Sequence, residues 1–152
     1  MSSWDFLSGF YHACRRLPVI RPILDAEIRN CRDLWSRMPV PPDRILDVGT
    51  GAGSSLVVFP DGMHIIAVDA SRKMLMRAAS RRPGLAPVQA RACALPLRDD
   101  SFTAVSAIGL TEYLPRPELF LTEIARVSKP DGYLLITFAR ENTLNRLRIL
   151  AG

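Results

Sequence analysis

Arg44-Ile-Leu-Asp-Val-Gly-Thr-Gly-Ala-Gly53 is the stretch that decides the fold. Its apolar start reads as a strand. The three glycines at alternate positions then let the backbone turn and approach a ligand with no side chain between. A short helix follows from Ser54 and ends at Pro60-Asp-Gly62. His64-Ile-Ile-Ala-Val68 is a second strand, closed by Asp69, and Ser71 caps a helix that runs to Arg82 and stops before Pro83-Gly84. Further on, Val88 to Ala92 reads as a weaker third strand and Ala104 to Ile108 as a fourth. Glu118 to Ser128 reads as a helix ending before Pro130-Asp-Gly132, and Tyr133 to Phe138 as a fifth strand. Strands alternating with helices need crossover connections and therefore a parallel sheet. Continuous apolar strands such as Ile65-Ile-Ala-Val68 suit a sheet covered on both faces.

Upstream, Ile20, Ile23, Leu24, Ile28, Cys31, Leu34 and Trp35 recur at the spacing of one helix face, with Pro22 in the first turn. Met38-Pro-Val-Pro-Pro42 stops that helix. Residues 1–42 are thus expected to be an N-terminal helical extension with a linker, and residues 43–152 the sheet domain.

The 152 residues suffice for one domain, and 48% apolar with 23% charged residues is ordinary for a globular one. No stretch approaches a membrane span and no secretory signal is visible, so a cytoplasmic location is expected. Cys14, Cys31 and Cys93 are odd in number and lack CxxC spacing, which favours free thiols over a disulfide framework or a zinc site. His12 and His64 are too few for a histidine metal centre, and no metal is expected. The net charge of +5 comes almost wholly from arginines that read as scattered and mostly interleaved with acids, a pattern that favours solvated surface over a nucleic-acid footprint. No aromatic-interleaved basic stripe is present.

In such a sheet, ligands bind beyond the carboxyl ends of the strands, where the strand order reverses. Asp69, about 20 residues after the glycine turn, stands where a carboxylate takes both hydroxyls of a ribose. The spacing would also permit a dinucleotide enzyme. Two details argue against one: the glycines run G-x-G-x-G and lack the G-x-G-x-x-G spacing that seats a pyrophosphate. Asp47 would also repel a pyrophosphate, whereas it favours a cationic sulfonium or ammonium.

Four ordered stretches resemble the class I S-adenosylmethionine-dependent methyltransferases, the small-molecule branch similar to ubiquinone/menaquinone-type enzymes (methyltransferase type 11-like). They are Ile45 to Gly53, Ile66-Ala-Val-Asp-Ala-Ser71 with Met74-Leu75, Ala94 to Phe102, and Leu121 to Thr137. The resemblance implies an α/β, Rossmann-like doubly wound parallel sheet with an N-terminal helical extension. It implies S-adenosylmethionine as cofactor and a small or lipophilic methyl acceptor. In it, Gly49, Thr50 and Gly51 would line the methionine part, Asp47 would shape their loop, and Gly53 would complete it. Asp69 would hold the ribose and Ala70 would lie against the adenine, with Ala92 and Cys93 bordering its other side. Ile108 to Leu110 would lie beneath the cofactor and face the substrate. Alignment of an already activated donor supplies most of the catalysis, so no catalytic residue is assigned; Glu112 and Tyr113 are the candidates for a base. As a plain alternative they are a surface acid and a packing aromatic. Tyr11 and His12 could close over the site, or serve as ordinary helix-face residues.

Three features depart from the family pattern. Arg91 stands where an acid would accept from the adenine amino group, and arginine cannot accept. Thr103 replaces a common Asp. Relatives continue with a helix and two more strands, whereas this chain ends just inside a helix expected over Asn142 to Leu150. The last two strands would then be lacking and a sheet edge exposed, to be covered by a partner or a second copy unless the chain is a truncated product. The leading expectation is a methyltransferase. A lapsed or partner-dependent cofactor-binding module is the alternative, and a nicotinamide-dependent oxidoreductase comes third. The amphipathic N-terminal helix suits packing on the sheet or covering the cofactor better than peripheral membrane contact.

Overall fold

The computed structural model describes residues 21–138 and Pro18. Tyr11, His12, Cys14, Ile20 and the helix expected over 142–150 lie outside the described residues. Within them the order is α1 (Arg21–Ser36), β1 (Ile45–Val48), a 3-10 turn (Ser55–Val58), β2 (Ile65–Asp69), α2 (Arg72–Arg81) and β3 (Leu85–Gln89). β4 (Phe102–Ala107), a second 3-10 turn (Thr111–Tyr113), α3 (Pro117–Val127) and β5 (Ser128–Ile136) follow. The five strands form one parallel sheet in the order β3-β2-β1-β4-β5. The chain winds outward from β1 first to one side and then to the other, so the strand order reverses between β1 and β4. This is the doubly wound, Rossmann-like arrangement.

Alternation along β1 divides the core. Ile45 joins Cys31, Trp35, Leu56, Phe59 and Ala78 on the face covered by α1 and α2. Leu46 and Val48 join Val105, Phe120 and Ile124 on the face covered by α3. Trp35 meets Phe59 edge-on at 4.7 Å, and Arg32 donates to the Val57 carbonyl at 2.8 Å, which ties α1 to the turn after the glycine loop. Ser71 caps α2 by accepting from the Met74 amide.

Two strands sit elsewhere than the sequence suggests. β3 begins at Leu85, three residues before the expected Val88, and runs through Pro87. A proline reads as a strand breaker, but β3 is an edge strand, where a missing N–H is tolerated. β5 begins at Ser128 rather than Tyr133, because pairing with β4 continues across Pro130-Asp-Gly132 as a bulge. Gly132 has no room for a side chain there: a Cβ would meet the Lys129 carbonyl oxygen at 2.9 Å. β5 is the other edge among the described residues. No described helix is long and apolar enough to cross a membrane.

Candidate functional site

Asp47 is fully buried at the carboxyl end of β1, one residue from the strand's end. Its side chain points to the α1 face, where it meets three hydroxyls and no ion-pair partner among the described residues. Ser106 donates to Oδ1 at 2.6 Å, Ser55 donates to Oδ2 at 3.1 Å, and Thr50 also donates to Oδ2. Ser106 is the lateral neighbour of Asp47 in the β1–β4 ladder, so the sheet register itself supplies that contact. Burial pushes the Asp47 carboxyl above its ordinary range; the hydroxyls oppose this in part, and Asp69 adds to it.

The glycine loop is tied to β2. The Gly49 and Thr50 amides both donate to the Val68 carbonyl, at 2.8 and 3.1 Å. Asp69 then draws two loops together, since its Oδ2 accepts from the Gly51 amide and its Oδ1 from the Ser71 amide, each at 2.8 Å. Gly51 has φ +54°, and a Cβ placed on it would find only the Gly49 oxygen, 4.0 Å away. Gly53 is different. Its missing side chain would press on Ala78 of α2 at 3.2 Å, so that glycine serves loop-to-helix packing.

Opposite the loop, Ile108 is buried and Leu110 leans over Gly49, where a Cβ would come within 2.7 Å of the Leu110 side chain. The Gly109 amide donates to Thr137 Oγ1 and Thr111 Oγ1 donates to the Thr137 carbonyl, both at 2.8 Å, which fixes the turn after β4. Glu112 and Tyr113 sit half-buried on that turn. Ala70 lies directly after Asp69, its carbonyl accepting from Gln89 at 3.1 Å. Ala92 and Cys93 occupy a turn just past β3, closed by an Arg91–Ala94 bridge, with the Arg91 side chain outside it and exposed. Cys93 is half-buried, and Cys31 is buried with its thiol pushed up to about 11 by burial and then Glu27.

Sequence reasoning missed Ser55 and Ser106, and it missed a clamp on α3. Arg126 donates from Nε and Nη2 to the two oxygens of Glu123, at 2.8 Å each. It also reaches the carbonyls of Leu95 at 3.0 Å and Leu97 at 2.7 Å, and Asp99 at 2.6 Å. Glu123 in turn accepts from the Leu95 amide at 2.6 Å. The segment that follows Ala92 and Cys93 is thereby held to α3. Thr103, for its part, accepts from the amides of Asp43 and Arg44 at 3.1 and 3.0 Å, the role a carboxylate would fill there. A cavity of about 150 Å³ lined by Asp43, Arg44, His64 and Phe102 lies at the opposite, amino end of the strands, away from these groups.

A methyltransferase domain family matches residues 46–136, from β1 through β5. The chain belongs to this family. A demethylmenaquinone methyltransferase of Beutenbergia cavernae is 36% identical over 140 residues, covering 87% of this chain and 57% of that one. A phosphatidylethanolamine N-methyltransferase of Cereibacter sphaeroides is 36% identical over 106 residues, covering 64% of this chain and 52% of its own length. The chain thus spans about half the length of the curated relatives it matches. A solved SAM-dependent methyltransferase of Thermotoga maritima superposes with a TM-score of 0.72 at 25% identity, covering 95% of this chain and 66% of that one. S-adenosylmethionine is therefore the cofactor the crevice has to fit. The residues present fit it: an open approach over Gly51, a carboxylate held in place at Asp69, and a buried acid beneath the loop where a cation is favoured.

Proposed function

We propose that this chain binds S-adenosylmethionine across the carboxyl ends of β1 and β2 and transfers its methyl group to a small or lipophilic acceptor. The observation that carries the reading is the pair of acids around the glycine loop: Asp47 buried below it and Asp69 holding the Gly51 amide beside it. When bound, the cofactor supplies a methyl group already activated on a sulfonium. Gly49, Thr50 and Gly51 present backbone to its methionine part, and Asp47 offers below that loop a carboxyl whose ionisation a bound cation would favour. Asp69, oriented by the Gly51 and Ser71 amides, takes the ribose hydroxyls through charge-assisted bonds. Ala70, Ala92 and Cys93 border the adenine. With Arg91 exposed and unable to accept, adenine recognition rests on backbone groups and packing. Ile108 to Leu110 line the acceptor side, and holding acceptor, methyl and sulfur in line provides most of the acceleration. Glu112 and Tyr113 stand on the same turn as candidates to take a proton from the acceptor. The relatives named for a menaquinone precursor and a phospholipid support a lipophilic acceptor.

Calorimetric titration of the purified chain with S-adenosylmethionine, S-adenosylhomocysteine and NADH tests the cofactor. Micromolar binding of the first two and none of NADH is expected. A folded chain that binds NADH, or binds none of the three, would sink the proposal.

A further inference from the structure

The positive charge of this chain is unevenly placed. Taken residue by residue the arginines look interleaved with acids, yet residues 70–98 hold Arg72, Lys73, Arg77, Arg81, Arg82, Arg91 and Arg98 and no acid at all. These seven cations exceed the net charge of +5, so the chain outside this stretch is in sum negative. The fold gathers most of them on one flank, since α2 packs on β2 and β3, and β3 is one edge of the sheet among the described residues. None of the seven forms an ion pair among the described residues.

Arg81 and Arg82 have internal work: Arg81 donates to the Ala52 carbonyl at 2.8 Å and Arg82 to the carbonyls of Leu56 and Phe59 at 2.6 and 3.1 Å. Arg72, Lys73, Arg77 and Arg91 do not share it. Arg72 and Lys73 open α2, where the positive end of the helix dipole disfavours cations, and the first turn itself contains no acid. Helical spacing lays Arg72, Met76 and Ser80 beside Lys73 on the outer face with the half-buried Arg77 at its margin, while Met74, Leu75 and Ala78 are buried. Met76 is 58% exposed among these charges. Arg72 and Lys73 follow Asp69 and Ala70 with only Ser71 between, and Arg91 follows β3, so the cationic flank borders the mouth of the crevice.

We propose that this flank, the outer face of α2 together with Arg91, docks on an anionic lipid surface and brings the carboxyl-end crevice against it. Each Lys or Arg held near such a surface strengthens partition about five-fold. Met76 adds apolar contact at the depth of the headgroups. Nucleic acid is the other extended anion, but residues 70–98 contain no Phe, Tyr, Trp or His on which a base could stack. The purpose of docking, access to an acceptor dissolved in the bilayer, rests on the methyltransferase reading; the docking itself does not.

The test is co-sedimentation with phosphatidylcholine vesicles with and without phosphatidylglycerol. The native chain is compared with Arg72→Gln/Lys73→Gln/Arg77→Gln and with a control of equal charge change on α1 and the residue just after it, Arg21→Gln/Arg29→Gln/Arg37→Gln. Native chain should bind only vesicles that contain phosphatidylglycerol. The α2 triple variant should lose about 100-fold in partition, and the α1 triple variant far less. The α2 variant should also melt no lower than the native chain, since it sheds cations from a helix N-terminus, and should keep its S-adenosylmethionine affinity. Indifference of the native chain to phosphatidylglycerol, equal losses in the two triple variants, or tighter binding to DNA oligonucleotides than to vesicles would each overturn the docking. Docking without cofactor binding would instead count against the methyltransferase reading alone.

Discussion

Replacing Glu123 by Gln keeps the length and shape of the side chain and removes only its charge. In the native chain that charge holds Nε and Nη2 of Arg126 and the Leu95 amide. The Arg126 guanidinium lowers the Glu123 carboxyl from 4.5 to about 2, against the opposing effect of burial. Such a displacement corresponds to roughly 3 kcal/mol of preference for the ionised form in the folded state. Glu123 is 17% exposed and Arg126 30%, so solvent screens part of it. We therefore expect Glu123→Gln to cost about 2 kcal/mol at neutral pH, and to lower Tm by about 6 °C at roughly 3 °C per kcal/mol.

The pH dependence is the sharper test. An acid whose carboxyl is depressed on folding contributes stability above its unfolded value, and that stability is lost as pH falls through the folded one. The Glu123 contribution is thus complete above about pH 5.5, and only about two-fifths of it remains near pH 3. Urea unfolding of native and Glu123→Gln chains across this range should give two curves that converge as pH falls. A gap that stays constant down to about pH 3 would refute the linkage, because charge would then not be what Glu123 contributes. A gap below about 0.5 kcal/mol at neutral pH would reduce the clamp to an ordinary surface pair.

The two loop glycines should separate binding from folding. Gly51→Ala carries only the left-handed backbone penalty of about 1–2 kcal/mol, yet its methyl enters the open approach and should weaken S-adenosylmethionine at least about tenfold, as calorimetry would show. Gly53→Ala adds a collision with Ala78 and should lower stability by about 2–4 kcal/mol; a variant melting like the native chain would contradict that packing. Asp69→Ala should lose a charge-assisted ribose interaction of about 1.5–3 kcal/mol in affinity, and unchanged affinity would remove Asp69 from the ribose assignment. For Asp47, raised by burial, the sign reverses: native stability should fall as pH climbs from the ordinary carboxylate range, so the stability of Asp47→Asn relative to native should rise with pH. The same variant should bind S-adenosylmethionine less well, with a smaller loss for S-adenosylhomocysteine, which lacks the sulfonium charge and keeps the ammonium; equal losses for both would deny Asp47 a part in favouring the sulfonium.

The parts of this molecule legible from sequence are those encoded locally. β1, β2 and α2 fall within a residue or two of where apolar runs, glycines and the Ser71 cap place them. The glycine loop and Asp69 come together because each closes its own strand. What sequence hides is set by lateral register. Nothing near Asp47 announces Ser106, 59 positions away, until β1 and β4 are paired. Glu123 and Arg126 read as a routine pair three apart on a helix, and only the tertiary fold brings Leu95, Leu97 and Asp99 onto it. Pro87 and Pro130 mislead for a related reason: whether a proline breaks a strand depends on whether the strand lies at an edge.

Two features run against what the fold alone would select, and both border the same crevice. Asp47 buries a carboxyl that only hydroxyls attend, and Arg72 and Lys73 place cations at the positive end of a helix. Local violations of this kind concentrate where a protein meets something outside itself. Their signs are opposite, so one ligand cannot answer both. An acid beneath the glycine loop calls for a compact cation within the crevice, which the sulfonium and ammonium of S-adenosylmethionine provide. Cations on the outer face of α2 call for an extended anion outside it. A domain that bound only a small soluble cofactor and acceptor would need the first and gain nothing from the second. The coexistence of the two is therefore the physical argument behind the proposal that an acceptor is met at a charged boundary.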